Sequence, residues 1–177
     1  MKSTKVAGRY AQSLLELSEE RKVTDAIVKD MNALVNTAND NRDLAVFFAS
    51  PIIKADKKNE VLGAIFPDFH ELSKAFIQLI TKKGREVYLP LIAEQYDAKV
   101  KALRGIIPVT LSSATVLDEA VKTSLLQNLE SQTDGKFEVT ERIDESLLGG
   151  FVFRMGDLQI EASLARQFKE LKQLLTK

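Results

Sequence analysis

At 177 residues with 45% apolar side chains, the chain is long enough for one domain or two small ones and can bury a real core. It has no cysteine, which excludes disulfides, thiolate metal sites and a cysteine nucleophile, and its single histidine, His70, excludes multi-histidine metal sites and paired-histidine acid/base work. Its 25 basic and 25 acidic residues balance, which argues against a protein built around nucleic acid.

The first hundred residues read as short helices. One is predicted from about Thr4 to Glu20. A second starts near Thr24 and carries Ile27, Met31, Leu34, Val35 and Ala38 on one face. A third covers "RDLAVFFA" and ends at Ser50-Pro51, because the residue before proline is pushed out of the helical region. A fourth is expected to begin with Asp56 as N-cap, to carry Val61, Leu62, Ile65 and Phe66, and to stop at Pro67. A fifth covers about Asp68 to Lys83 and ends at Gly84, with His70 near its start as ordinary surface. A sixth runs from about Glu86 to Leu103 and tolerates Pro90 only in its first turn.

After Arg104-Gly105 the period changes. "IIPVTLSS" and "KFEVTERI" read as strands around a helix predicted from about Asp118 to Gln132. In "LLGGFVFRMGDLQIEASLARQFKEL", a two-residue turn at Gly156-Asp157 sets Met155 opposite Leu158, Phe153 opposite Ile160 and Phe151 opposite Ala162 on a side expected to be buried. Val152, Arg154, Gln159 and Glu161 take the other side, with Arg154 and Glu161 placed for an exposed ion pair. Ser163 then caps a final helix with Leu164, Phe168, Leu171 and Leu175 on one face. The predicted fold is mainly α with a smaller α+β part: an N-terminal six-helix bundle over residues 1–105, then a C-terminal domain over 106–177 with a short sheet or hairpin and two helices.

The residues offer little reactive chemistry. Eight glycines are scattered, and the one pair, Gly149-Gly150, precedes a strand instead of opening a phosphate-binding helix. The carboxylate pairs Glu19-Glu20, Asp118-Glu119 and Asp144-Glu145 sit at element ends among polar residues, the setting of surface charge. Lys57-Lys58 and Lys82-Lys83 are too short and too mixed with acids for a nucleic-acid footprint, while Arg85 has two readings, an anion site or a pair with a nearby acid. No catalytic, cofactor or metal residue is predicted. No apolar run approaches the ~20 residues that span a bilayer, and the start "MKSTKVAGRY" lacks a signal-like apolar region, so a cytoplasmic product without membrane insertion is expected.

More informative is the width of two apolar faces. Val6, Ala7, Tyr10, Ala11, Leu14, Leu15 and Leu17 span about half the first helix, where a core-facing stripe needs only about 100°. The fifth helix carries a broad stripe of Phe69, Leu72, Ala75, Phe76, Leu79 and Ile80, with Ile77 well outside it. Two readings stay open: a groove for an amphipathic partner helix, or a bundle that surrounds its first helix on most sides.

The segments "VAGRYAQSLLELSEE", "ASPIIKADKK", "LITKKGREVYLPLIAEQYDA" and "IDESLLGGFVFRMGDLQIEASLARQFKELKQLL" resemble, in order and over nearly the whole chain, the delta subunit family of bacterial F-type ATP synthase, relatives of the mitochondrial oligomycin-sensitivity-conferring protein. Glu161 stands where the family usually has aspartate, which keeps the charge. The resemblance implies a non-catalytic stator subunit, one copy per complex and without cofactor, joining the catalytic head to the peripheral stalk so that proton-driven rotation is coupled to ATP synthesis. It implies that the N-terminal helix of a head alpha subunit lies on the first and fifth helices, against Val6, Ala7, Tyr10, Ala11, Leu14, Phe76, Leu79 and Ile80. The C-terminal domain would engage the stalk b subunits, with Phe151, Phe153, Leu164, Phe168 and Leu171 as candidates. The location implied is the cytoplasmic face of the bacterial plasma membrane, as a peripheral part of the complex. Two other readings are a helical adaptor of another assembly and a small α+β nucleotide-binding enzyme.

Overall fold

The computed structural model describes residues 2–115, 136–144, 147, 149–156 and 158–163, without the side chains of 2–3 and 160–163. The helices predicted at 118–132 and from 164 onward lie outside the described residues. The chain is mainly helical with one small four-stranded sheet. It divides into two compact units, Met1–Val100 and Lys101–Lys177.

The first unit contains α1 (Lys2–Glu20), α2 (Thr24–Asp40), α3 (Arg42–Ala49), α4 (Ala55–Ile65), α5 (Glu71–Lys82) and most of α6 (Leu89–Leu103), with a 3-10 turn at Glu86–Tyr88 before α6. Residues of all six helices meet in one hydrophobic cluster, including Ala11, Ile27, Phe48, Leu62, Ile80 and Ile92. Extended backbone at Ser50, as its place before Pro51 requires, ends α3. Pro90 is the second residue of α6, where its missing N–H costs no helical bond.

Three local expectations change. The N-cap position of α4 is Lys54, and no side chain caps that end, so Asp56 lies inside the first turn and acts on the helix dipole instead. The buried row of α4 is Lys58, Leu62 and Phe66, while Val61 and Ile65 stay 39% and 41% exposed. The reason is Lys58: its stem packs inward and its Nζ donates to the Phe48 carbonyl and to Glu86, tying α4 to the end of α3 and to the 3-10 turn. His70 is not plain surface either. Its Nδ1 accepts the Leu72 N–H at 3.1 Å as the N-cap of α5, and its own N–H donates to Asp30 on α2 at 2.8 Å.

In the second unit the strands are β1 (Ile106–Ser113), β2 (Lys136–Ile143), β3 (Gly150–Met155) and β4 (Leu158–Ser163), in the order β2-β1-β3-β4. β1 and β2 are parallel and the other neighbours antiparallel. The hairpin register is the expected one, with Met155 opposite Leu158 and Phe151 opposite Ala162. Gly156, at φ +55°, supplies the left-handed residue its turn needs. Val109, Leu111 and Phe153 form the buried centre of one face, with Phe137, Val139, Phe151 and Met155 packed around them. Leu158 departs from the expectation of a fully buried side: at the turn end of the outer strand it is 64% exposed. Arg154 donates to Gln159 directly across the hairpin at 3.0 Å; the side chain of Glu161, its expected ion-pair partner, lies outside the described residues.

Lys58→Met should destabilise the helical unit by about 3–5 kcal/mol, because the Glu86 carboxylate is then left buried without its cation. Lys58→Met/Glu86→Leu should recover most of that loss. Urea unfolding followed by tyrosine fluorescence reads this unit alone, since the chain's 3 tyrosines are Tyr10, Tyr88 and Tyr96 and it has no tryptophan.

Candidate functional site

On α1 the residues that face the core are small or deeply set. Ala7, Ala11 and Ser18 are fully buried and Leu14 is 1% exposed. Ser18 donates to the Leu15 carbonyl and shares a 2.8 Å hydrogen bond with the Tyr96 hydroxyl of α6, so the polar atoms on this face are satisfied. Beside this row lies a second one, Val6, Tyr10 and Leu17, within about 40° of one another at ~100° per residue. These three are only half-buried.

α5 is built the same way, but its buried face is turned relative to the expectation. Leu72, Phe76, Ile77 and Ile80 are buried, along with Ser73 and Thr81, whereas Ala75 and Leu79 are exposed. Ile77, expected outside the stripe, is 4% exposed because α4 packs on that side, where Leu62 and Phe66 share a small cavity of about 310 Å³ with it. Thr81 is accommodated there by bonding back to the Ile77 carbonyl at 2.8 Å. What remains on the outer edge of α5 is Leu79, 48% exposed.

The two edges are joined by aromatic contact. Tyr10 of α1 meets Phe76 of α5 edge-on, with centroids 6.5 Å apart and planes at 74°. Arg85, just past the end of α5, meets the same ring: its Nη1 donates to the Tyr10 hydroxyl at 2.6 Å and its guanidinium lies 5.5 Å from the ring centroid. The structure therefore divides the eight residues of the expected groove. Ala7, Ala11, Leu14 and Ile80 belong to the core, Phe76 lies at the boundary, and Val6, Tyr10 and Leu79 reach the surface.

Of the C-terminal candidates, Phe153 is a core residue of the sheet and Phe151 is half-buried against it. Leu164, Phe168 and Leu171 lie outside the described residues. The opposite sheet face carries a cavity of about 570 Å³ lined by Thr110, Ser112, Arg142, Asp144, Leu147, Val152, Arg154 and Gln159. Among the described residues no three His, Cys, Asp or Glu side chains gather as metal ligands, and no helix is long and apolar enough to cross a membrane.

The helical unit carries a surface strip on a closed core, and the second unit carries a small sheet. Residues 6–175 match the family model for the ATP synthase delta (OSCP) subunit. The ATP synthase subunit delta of Christiangramia forsetii is 33% identical over 175 residues, covering 99% of this chain and 95% of that protein. That of Carboxydothermus hydrogenoformans is 33% identical over 172 residues, covering 97% of each. The fold is shared with a chain of the Toxoplasma gondii mitochondrial ATP synthase hexamer, at TM-score 0.75 over 97% of both chains and 18% identity. The chain belongs to the ATP synthase delta (OSCP) subunit family: it is a linking subunit of the F-type ATP synthase, and is not itself catalytic.

The division between core and edge predicts contrasting stabilities for neighbours on α5. Ile80→Ala, which opens a cavity in the core, should cost about 2–5 kcal/mol. Leu79→Ala should stay within about 0.5 kcal/mol of the parent, both read from urea midpoints by tyrosine fluorescence.

Proposed function

We propose that the N-terminal six-helix bundle, residues 1–105, holds the N-terminal helix of a head alpha subunit, while the C-terminal domain, residues 106–177, holds the peripheral-stalk b subunits. One copy then joins head to stalk at the cytoplasmic face of the bacterial plasma membrane and keeps the head from turning with the rotor. The observation that carries the first half is the strip of Val6, Tyr10 and Leu79. These apolar side chains stand outside a core already filled by Ala7, Ala11, Leu14 and Ile80, with Phe76 beneath them. A helix with an apolar stripe is the partner that such a strip between two helices fits. The core residues of the expected groove serve it from behind, by fixing the backbone from which the edge side chains project. Support for the second half is the hairpin itself: Phe153 anchors it to β1 and Phe151 packs beside it, leaving a rigid surface for the stalk.

Calorimetric titration of the full chain with a synthetic peptide of the cognate alpha subunit's N-terminal helix tests this reading. Saturable binding is expected, with backbone NMR shifts centred on Tyr10, Phe76 and Leu79. Leu79→Asp, which leaves the core untouched, should weaken binding by about 10-fold or more, because it sets an unpaired charge in an apolar contact. Unchanged affinity in that variant would move the partner off this face.

A further inference from the structure

The α5 side of the strip ends in a polar fixture that apolar matching leaves unexplained. "KKGR", residues 82–85, closes α5 with a Schellman motif. Gly84 takes φ +63° and donates its N–H to the Thr81 carbonyl at 2.9 Å, and the Arg85 N–H reaches back to the Ile80 carbonyl at 3.1 Å. The backbone of Arg85 is thereby pinned to the last turn of α5, and its side chain extends to Tyr10 on α1. Phe76, Tyr10 and Arg85 form one continuous series from the boundary of the core to the residue just past the end of α5.

Arg85 is exposed, and among the described residues its contact is an aromatic hydroxyl, not a carboxylate. A guanidinium has five N–H donors, so bonding to one hydroxyl leaves most of them available. Lys82 and Lys83 are exposed beside it in sequence, so this end of the strip is basic although the whole chain is neutral. Cation–π contact holds the guanidinium in place before any partner arrives, which lowers the entropy lost on binding.

Resting on the reading above, we propose that Arg85 is the charge anchor of the strip: it pairs with a carboxylate at the end of the docking helix's apolar stripe and so sets the register and direction of that helix. Arginine suits the task because its planar fork takes a carboxylate through two parallel N–H bonds, which lysine does not.

The test is a double-mutant cycle by calorimetry on the full chain, with the cognate alpha-subunit peptide and versions in which each Asp or Glu is replaced by Asn or Gln. Arg85→Gln should weaken the parent peptide about 10-fold or more, the scale of a hydrogen bond to a charged group. It should leave one neutralised peptide unaffected, identifying the paired carboxylate, and Arg85→Lys should restore only part of the loss. The Arg85→Gln effect should also shrink at high salt. Equal weakening of every peptide by Arg85→Gln would make Arg85 a support for Tyr10 and overturn the proposal, as would no weakening at all. Leu79→Asp separates the two readings. If it abolishes binding while Arg85→Gln changes nothing, the strip stands and the charge anchor falls; if the parent peptide does not bind, both fall.

Discussion

The helical unit depends on how closely α1 is allowed to approach its neighbours. Ala7, Ala11 and Ser18 have no exposed surface, and the Ser18 hydroxyl meets Tyr96 of α6 at 2.8 Å across 78 residues of chain. Larger side chains on this row would force the surrounding helices apart, and overpacking of this kind costs about 1–3 kcal/mol. Because the row is narrow, α1 needs little of its circumference to hold the fold. That leaves Val6, Tyr10 and Leu17 beside the core instead of in it. The strip is a consequence of small residues, placed where a helix of ordinary leucines would have been drawn wholly inward.

Much of this was legible from the residues, for reasons that differ by element. The hairpin register follows from strict alternation and a Gly-Asp turn, since a slip of one residue would have put Phe153 on the solvent side. The ends of α3 and α5 follow from Pro51 and Gly84, whose backbone preferences act locally. The excess width of α1 and α5 was also visible, but its division was not. Periodicity gives the direction of a side chain, not what stands opposite it. Ile77 looked outlying because Ser73 and Thr81, small and polar, mark no stripe, yet all three are buried. Lys58 gave no signal for a related reason: a lysine inside a KK pair carries no mark of burial, and only the folded chain brings Glu86 and the Phe48 carbonyl to it.

Lys58 also shows how the fold holds α4 without a side-chain cap. Its charge is shared between an acid and the carbonyl at the end of α3, so a single buried group fixes three segments. Buried ion pairs contribute little net stability compared with well-packed apolar groups, but they are unforgiving of misplacement. Where α4 lies against α5 decides where Ile77 points, and hence how far the opposite edge of α5 turns outward. An ionic contact on one side of the unit thus bears on which apolar side chains appear on the other.

A subunit that transmits torque needs contacts whose geometry does not yield under load. Leu79 and Ile80 are adjacent on α5, one presented at 48% exposure and the other with none. A side chain offered next to one that is clamped cannot retreat without opening the core, so its position is enforced by the stability of the whole unit. Such pre-ordered contacts lose little conformational entropy on binding, and apolar ones are not weakened by salt as exposed ion pairs are. On the proposed docking, a charged group is best used where it sets direction, while the apolar edge would carry the load. Tyr10 serves both ends of that division, with its ring edge against Phe76 and its hydroxyl on Arg85.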